Sequence, residues 1–250
     1  APGNPLHPHT LLPALAGGIG APLPETQAYV KERVMSQTMK AAVLHAVGEP
    51  LRIEQVPIPK PGPGEILIRI AACGVCHSDL HAIDGDWSAL PTLPLIPGHE
   101  ITGHVAAHGA GVSEPPIGAA VGMPWMYSAC GTCEFCTAGT PGYCEQSITR
   151  NYLGLPGIRA GETAVTGGFF GQSSFAGLAL ATDRNTVRIG DLPFEVAAPL
   201  GCSVQTGVGT ITRALQVQSG QSVVVFGTGA VGLAAVMGAK LAGATTIVAV

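Results

Sequence analysis

Ser-Val-Val-Val-Phe-Gly-Thr-Gly-Ala-Val-Gly, residues 222–232, places a continuous apolar strand directly before the pattern Gly-x-Gly-x-x-Gly. A helix is predicted over Ala230–Leu241, and a second apolar strand is predicted to begin at Thr246. Strand, glycine turn and helix in this order form the context in which the pattern predicts dinucleotide binding. The helix N-terminus and three close-approach glycines can hold a pyrophosphate. These glycines are Gly227, Gly229 and Gly232.

The chain before this unit has a different pattern. Short apolar segments such as Lys40–Leu44, Leu51–Val56 and Glu65–Ala71 alternate with glycine and proline turns as far as about residue 181. They predict an antiparallel, partly barrel-like β domain over residues 35–202, followed by a βαβ unit over residues 203–250 that begins with a helix at Ser203–Leu215. Residues 1–34 contain six prolines and are expected to be a disordered extension. The predicted fold class is therefore α/β with a β-rich domain.

Composition excludes several functional classes. The net charge of −4 provides no basic surface for nucleic acid, and no run of like charge indicates a membrane surface. Val223–Ala239 carries no charge, but its glycines favour a strand, a turn and a helix over a membrane span. The 35 glycines and 21 prolines favour turn-rich β structure over a helical bundle.

Four of the seven cysteines lie in one short segment with the spacing C-x2-C-x2-C-x7-C. They are Cys130, Cys133, Cys136 and Cys144. Four thiolates can close the tetrahedral shell of one zinc ion, so the spacing predicts a structural zinc site with no open position. An iron–sulfur cluster and disulfides are the alternatives. Metal-binding thiolates require a reducing compartment, which favours the cytoplasm.

The other candidate ligands are dispersed, and each is a weak signal alone. Cys73 and Cys76 form a C-x-x-C pair that could be redox-active, although no thioredoxin-like unit surrounds it. Taken together and in order, the motifs resemble those of the zinc-dependent medium-chain alcohol dehydrogenases, over roughly residues 39–250. These motifs are Gly74-Val75-Cys76-His77-Ser78-Asp79, Pro97-Gly98-His99-Glu100, the four-cysteine loop and Gly201-Cys202-Ser203-Val204-Gln205-Thr206-Gly207.

The resemblance implies a second zinc ion, with a catalytic role, bound by Cys76, His99 and Cys202. Two cysteines and one histidine leave a fourth position for water or substrate. By the same resemblance, Asp79 holds the second nitrogen of the His99 ring, and Glu100 lies behind the metal.

Further roles follow from the same resemblance. Ser78 and His81 match the proton relay, and His77 matches a residue that contacts the cofactor pyrophosphate. Trp87 and Trp125 match positions that line the substrate pocket, with plain core packing as the alternative role. Residues 169–176 are similar to the aryl and allylic alcohol dehydrogenase subgroup.

The implied function is reversible oxidation of primary, aromatic or allylic alcohols to aldehydes by hydride transfer from a zinc-bound alkoxide to NAD or NADP. The implied fold is a GroES-like catalytic domain followed by a truncated Rossmann domain, since the chain ends inside the second strand at Val250. The expected partner is a small alcohol or aldehyde, without nucleic acid or membrane, and the full-length form is expected to be a homo-oligomer.

Two other functions compete with this one. The first is a zinc-stabilised domain without turnover. Whichever function is correct, we expect this chain alone to bind nicotinamide weakly and to have negligible turnover. The second is a zinc-free quinone reductase relative, which the complete set of zinc ligands argues against. One departure from the family pattern is Ala119-Ala120, where Asp-Arg is usual, and we expect lower local stability there.

Overall fold

The computed structural model describes residues 38–87, 93–152, 158–160, 163–165 and 168–250, and its central feature is a five-stranded sheet whose paired strands are all antiparallel. In their order across the sheet, the strands are β8 (Leu178–Thr182), β3 (Glu65–Gly74), β4 (Glu100–His108), β5 (Ala120–Met123) and β9 (Val187–Arg188). A separate antiparallel ribbon consists of β1 (Thr38–Val43) and β2 (Arg52–Pro57). Another short ribbon consists of β6 (Ile158–Ala160) and β7 (Thr163–Val165).

Strand β3 is covered on both faces, as expected for an inner strand with consecutive apolar residues. Leu67 belongs to a cluster with Met39 and Val56 of the two-stranded ribbon, whereas Ile66 and Ile68 belong to a cluster on the opposite face. Ile66 and Ile68 are fully buried, and each such side chain contributes about 1.5–3 kcal/mol when it leaves water. This packing fixes the sheet that carries the functional residues.

Helical segments are short until the end of the chain. The α-helices are α1 (His77–Asp84), α2 (Glu134–Thr137), α3 (Ser147–Asn151), α4 (Phe194–Ala197), α5 (Ser203–Gly209) and α6 (Ala230–Leu241). The 3₁₀ turns are Pro141–Tyr143, Phe169–Gly171 and Ala198–Gly201. Helix α5 continues directly into a π-helical segment at Thr210–Ala214.

The register between β3 and β4 positions the candidate site. Gly74, at the end of β3, pairs with Glu100, at the start of β4. Cys76 follows the end of β3, and His99 precedes the start of β4, so antiparallel pairing brings two distant parts of the sequence to one edge of the sheet.

Residues 222–250 form a βαβ unit. Strand β10 (Ser222–Val225) pairs in parallel with β11 (Thr246–Ala249), and α6 connects them. Ala235 and Ala239 of α6 pack against Val223 and Val225 of β10, which explains why the apolar face of this helix carries small residues.

The predicted strands and helices are largely confirmed, with differences of a few residues at their ends. The helix predicted over Ser203–Leu215 begins at Ser203, but its second half is π-helical. There, Thr210 and Thr212 donate hydroxyl hydrogen bonds to backbone carbonyls four residues earlier, a contact that favours helix distortion. The lower stability expected at Ala119-Ala120 stays a prediction, and β5 forms from Ala120 onward.

The predicted extension at residues 1–34 lies outside the described residues. Across the part of the chain that the structure describes, no helix has both the length and the apolar character needed to cross a membrane.

Candidate functional site

The first candidate site is the four-thiol loop, consisting of Cys130, Cys133, Cys136 and Cys144, whose sulfur atoms all lie within 4.8 Å of one another. Helix α2 and the 3₁₀ turn Pro141–Tyr143 bring the last two cysteines back toward the first two. All seven cysteines are described as free thiols, and Cys130 Sγ lies 3.8 Å from Cys136 Sγ, far beyond a disulfide bond of about 2.05 Å. The arrangement is therefore a cluster of separate sulfur donors.

Backbone amides stabilise negative charge in the four-thiol loop. Hydrogen bonds from the amides of Thr132 and Cys133, at 3.4 and 3.3 Å, lower the pKa of the Cys130 thiol to about 5. The neighbouring Cys136 shifts the other way, because burial and the adjacent sulfurs raise its pKa to about 12. Four sulfurs this close cannot all ionise without a cation, so the donor set fits a zinc ion.

The second candidate site, the dispersed centre, combines three separate parts of the sequence. Its possible ligand atoms belong to Cys76, His99, Glu100 and Cys202, and all lie within 4.8 Å of one another. Cys76 precedes α1, His99 and Glu100 lie where β4 begins, and Cys202 precedes α5. His99 and Glu100 are buried, whereas both cysteines are partly exposed.

Asp79 fixes the imidazole of His99. Its Oδ1 accepts hydrogen bonds from His99 Nδ1 at 2.9 Å and from the Gly98 amide at 3.0 Å, and its Oδ2 accepts one from the Cys76 amide at 2.9 Å. Because a carboxylate only accepts, Nδ1 carries a proton, and in the neutral imidazole, which is the form that binds a metal, Nε2 has a free lone pair. Nε2 is buried and has no hydrogen-bond partner among the described residues. A buried, unpaired acceptor beside two thiols fits a metal ligand.

The pKa shifts of the residues in the dispersed centre also favour a bound metal ion. Burial lowers the pKa of His99, but Asp79 and the Cys76 thiol outweigh it and raise the pKa to about 9. A hydrogen bond from Cys202 lowers the pKa of Cys76 to about 3, and the same contact raises the pKa of Cys202. The two sulfurs therefore share one proton and pair with a cationic imidazole. A divalent cation can replace both protons and leave two thiolates and a neutral imidazole.

Glu100 lies behind these groups with its own partners. Its Oε1 accepts hydrogen bonds from the amide of Ser203, at 3.2 Å, and from the Ser203 hydroxyl. Its Oε2 lies against Gly74, where a Cβ atom would collide with it. Because Gly74 has no side chain, the buried carboxylate of Glu100 fits beside it without a steric clash.

Aromatic side chains form a wall beside His99. Phe170 stacks on the imidazole with ring centroids 4.2 Å apart and an interplanar angle of 29°. Its backbone is left-handed, at φ 50°, a conformation that phenylalanine rarely adopts and that here supports the stacked ring. Trp87 and Trp125 each lie 5.9 Å from the Phe170 ring, so both tryptophans pack in the same cluster.

Tyr152 belongs to this aromatic wall, although no sequence motif points to it. Its ring lies 4.7 Å from Phe170 and 5.9 Å from Trp87. Burial raises the pKa of its hydroxyl, and the nearby Cys202 adds to the shift, which places the phenol beside the dispersed centre. No sequence motif connects Tyr152 with Cys202, so only the fold could reveal that the two lie near each other.

The predicted relay residues lie on α1, near the surface. His81 Nδ1 lies 2.7 Å from Asp86 Oδ2, and its side chain is 40% exposed. The rings of His77 and His81 meet edge to face at 4.7 Å. Ser78 is half-buried and, within the described residues, has no direct hydrogen bond to His81. The sequence alone did not predict the contact between His81 and Asp86.

The glycine turn is connected to the dispersed centre by the packing of two helices, α5 and α6. Gly227 has φ 91°, a conformation that favours glycine, and a Cβ on Gly232 would collide with the Gly227 carbonyl. A Cβ on Gly207 of α5 would likewise collide with the Val231 carbonyl of α6. Helix α5, which begins directly after Cys202, therefore packs against the start of the helix that follows the turn.

Comparison with known proteins gives a consistent result. Residues 62–191 match the family model of the alcohol dehydrogenase GroES-like domain. The geraniol dehydrogenase of Castellaniella defragrans is 42% identical over 218 residues, covering 84% of this chain and 57% of that protein. The crystal structure of benzyl alcohol dehydrogenase from Acinetobacter calcoaceticus has a TM-score of 0.77 and 39% identity, covering 86% of this chain and 58% of that one.

A second solved structure, an alcohol dehydrogenase zinc-binding domain protein from Burkholderia ambifaria, has a TM-score of 0.78 and 40% identity, with coverage of 85% and 58%. The chain thus spans less than two thirds of the length of these relatives. The matched range 62–191 contains the four-thiol loop, Cys76 and His99, whereas Cys202 and the glycine turn follow it.

Proposed function

We propose, because this chain belongs to the zinc-dependent medium-chain alcohol dehydrogenase family, that it provides the zinc-binding catalytic part of an oxidoreductase acting on primary alcohols. The observation that carries the proposal is the unpaired His99 Nε2, which is buried beside the thiols of Cys76 and Cys202. A second zinc in the four-thiol loop would have a structural role, since four sulfurs leave no position for substrate.

Cys76, His99 and Cys202 would hold the catalytic zinc, which as a Lewis acid would lower the pKa of an alcohol hydroxyl. Asp79 keeps the His99 proton on Nδ1 and so leaves Nε2 able to bind metal. Phe170 covers one face of the imidazole and limits access of water to it. Cys76 and Cys202 are only partly buried, and substrate would reach the metal from their side.

His81 is suited to pass the released proton to solvent. Its side chain is 40% exposed, and Asp86 lies 2.7 Å from its Nδ1, which fixes one nitrogen and leaves Nε2 for exchange. Ser78 is half-buried on the same helix. It would contact the substrate hydroxyl, and a substrate atom or a water molecule would complete the path from Ser78 to His81.

The hydride acceptor would be NAD or NADP. The parallel pair of β10 and β11, joined by α6, is the strand–helix–strand unit from which Rossmann-type domains are built. Gly227, Gly229 and Gly232 would bring the backbone close to the pyrophosphate, and His77 would contact it from α1.

The aromatic wall supports a proposal for the substrate class. Trp87, Tyr152 and Phe170 provide flat apolar surfaces beside the metal ligands, and such surfaces favour planar, unsaturated substrates. Two similar proteins carry names for the oxidation of geraniol and of benzyl alcohol. Allylic and benzylic primary alcohols are therefore the proposed substrates.

Zinc content and alcohol oxidation test this proposal together. Cys202→Ser should lose one of two bound zinc ions and abolish alcohol oxidation in the whole protein, because the dispersed centre loses a ligand. Cys73→Ser is the matched control, since Cys73 is another partly buried cysteine near β4 but is outside both ligand sets. Retention of both zinc ions by Cys202→Ser, or equal loss in Cys73→Ser, would contradict the assignment. Two zinc ions without turnover of benzyl alcohol would support a zinc-stabilised domain instead.

A further inference from the structure

Four donor groups, rather than three, surround the dispersed centre. Glu100 has a carboxylate oxygen within 4.8 Å of the ligand atoms of Cys76, His99 and Cys202. A tetrahedral zinc ion can be closed by four protein ligands or can keep one position open, and only the open form can accept a substrate. The position of the Glu100 carboxylate therefore decides which kind of site this chain forms.

Ser203 makes two hydrogen bonds to one oxygen of this carboxylate. Its amide and its hydroxyl both donate to Glu100 Oε1. Glu100 is 2% exposed, so its carboxylate depends on protein donors rather than on solvent. The other oxygen lies in the space left by Gly74, where a side chain would collide with it. The carboxylate is thus held between a serine on α5 and a glycine at the end of β3.

Competition between hydrogen bonds and metal binding gives this arrangement a chemical consequence. An oxygen whose lone pairs are occupied by two donors is a poorer metal ligand than a free carboxylate oxygen. Removal of the Ser203 hydroxyl leaves the single amide contact of 3.2 Å. A buried carboxylate that loses a donor gains more from an adjacent cation, so it would turn toward the metal.

We propose that Ser203 is a positioning residue that holds Glu100 away from the metal and so keeps the fourth coordination position open. The proposal rests on the proposed function, in that Cys76, His99 and Cys202 hold the metal. Within the part of the chain that the structure describes, the Ser203 hydroxyl donates to Glu100 and to none of Cys76, His99 and Cys202, so it acts through Glu100.

The test uses the protein with cobalt(II) in place of zinc, because cobalt absorption reports coordination without any turnover. Imidazole is titrated as an external ligand, and the cobalt bands are followed. The four-thiol loop has no open position, so the response reports the dispersed centre. Ser203→Ala should bind imidazole at least about tenfold more weakly than the unaltered protein. It should also release its second metal ion to a chelator more slowly, because a fourth ligand has been added.

Three further variants separate positioning from a general structural effect. Ser203→Thr retains the hydroxyl and should bind imidazole like the unaltered protein. The double variant Ser203→Ala with Glu100→Gln should regain that affinity, since the amide is a poor substitute for the anionic ligand. Ser203→Gly removes the same hydroxyl in a different way and should reproduce the alanine result.

Unchanged imidazole affinity in both Ser203→Ala and Ser203→Gly would overturn the positioning role while leaving the proposed function intact. An unaltered protein whose cobalt spectrum neither responds to imidazole nor changes on Cys202→Ala would contradict the proposed function, and the role of Ser203 with it.

Discussion

The four-thiol loop and the dispersed centre contain similar ligands but are built in different ways. The loop takes all four sulfurs from residues 130–144, and backbone amides of the same segment donate to them. The dispersed centre takes its ligands from residues 76–202, and a strand register brings them together. We therefore expect the local cluster to depend on its metal for folding more than the dispersed one, whose ligands a strand register brings together.

The largest expected difference between the two centres is in stability. Cys144→Ser should lower the melting temperature by more than about 10 °C, since loss of a ligand opens a closed structural site. Cys202→Ser should lower it by only about 2–4 °C, because the surrounding sheet remains packed. Differential scanning calorimetry of both variants measures the contrast. Equal shifts would show that the two centres contribute alike to folding.

A smaller effect is expected when the changed residue is one that holds a metal ligand in place, rather than the ligand itself. Asp79→Asn should weaken metal binding at the dispersed centre by about 10–100-fold, because the neutral amide no longer fixes the proton on His99 Nδ1. The matched control is Asp84→Asn, an exposed aspartate on the same helix. Competition with a chromophoric chelator measures the affinity. The interpretation fails if both variants retain zinc equally well.

The smallest expected effect concerns proton transfer. In the whole protein, His81→Ala should slow alcohol oxidation several-fold, about 10²-fold at most, and mainly below neutral pH. Added imidazole buffer should restore part of the rate. His45→Ala is the control, since His45 also pairs with a carboxylate but belongs to a different segment of the chain and has no assigned role in proton transfer. Unchanged pH–rate profiles for both His81→Ala and Ser78→Ala would remove the relay.

The sequence was informative where the determining contacts are local. The spacing from Cys130 to Cys144 predicts a shared metal because neighbouring residues cannot separate widely. The glycine turn before α6 is predicted for the same reason, since strand, turn and helix are contiguous. In both cases the spacing along the sequence indicates which residues lie together.

The dispersed centre was predictable only through family resemblance, and its supporting contacts were not predictable at all. The Phe170 ring reaches His99 because of a left-handed backbone, and Tyr152 reaches the same wall from another segment. Ser203 follows Cys202 in the sequence, yet nothing in that motif indicates a hydrogen bond to Glu100. These contacts depend on strand register and helix placement, which spacing along one chain does not encode.

The central claim, that the chain holds two zinc ions in different ligand sets, is tested most directly by zinc X-ray absorption on protein of known metal content. The account predicts two zinc ions per chain. It also predicts an average of three sulfur ligands per zinc at about 2.3 Å, since the loop supplies four sulfurs and the dispersed centre two. A nitrogen contribution from His99 should accompany them. A single zinc ion with four sulfurs would show that the dispersed centre does not bind zinc, and the account would be contradicted.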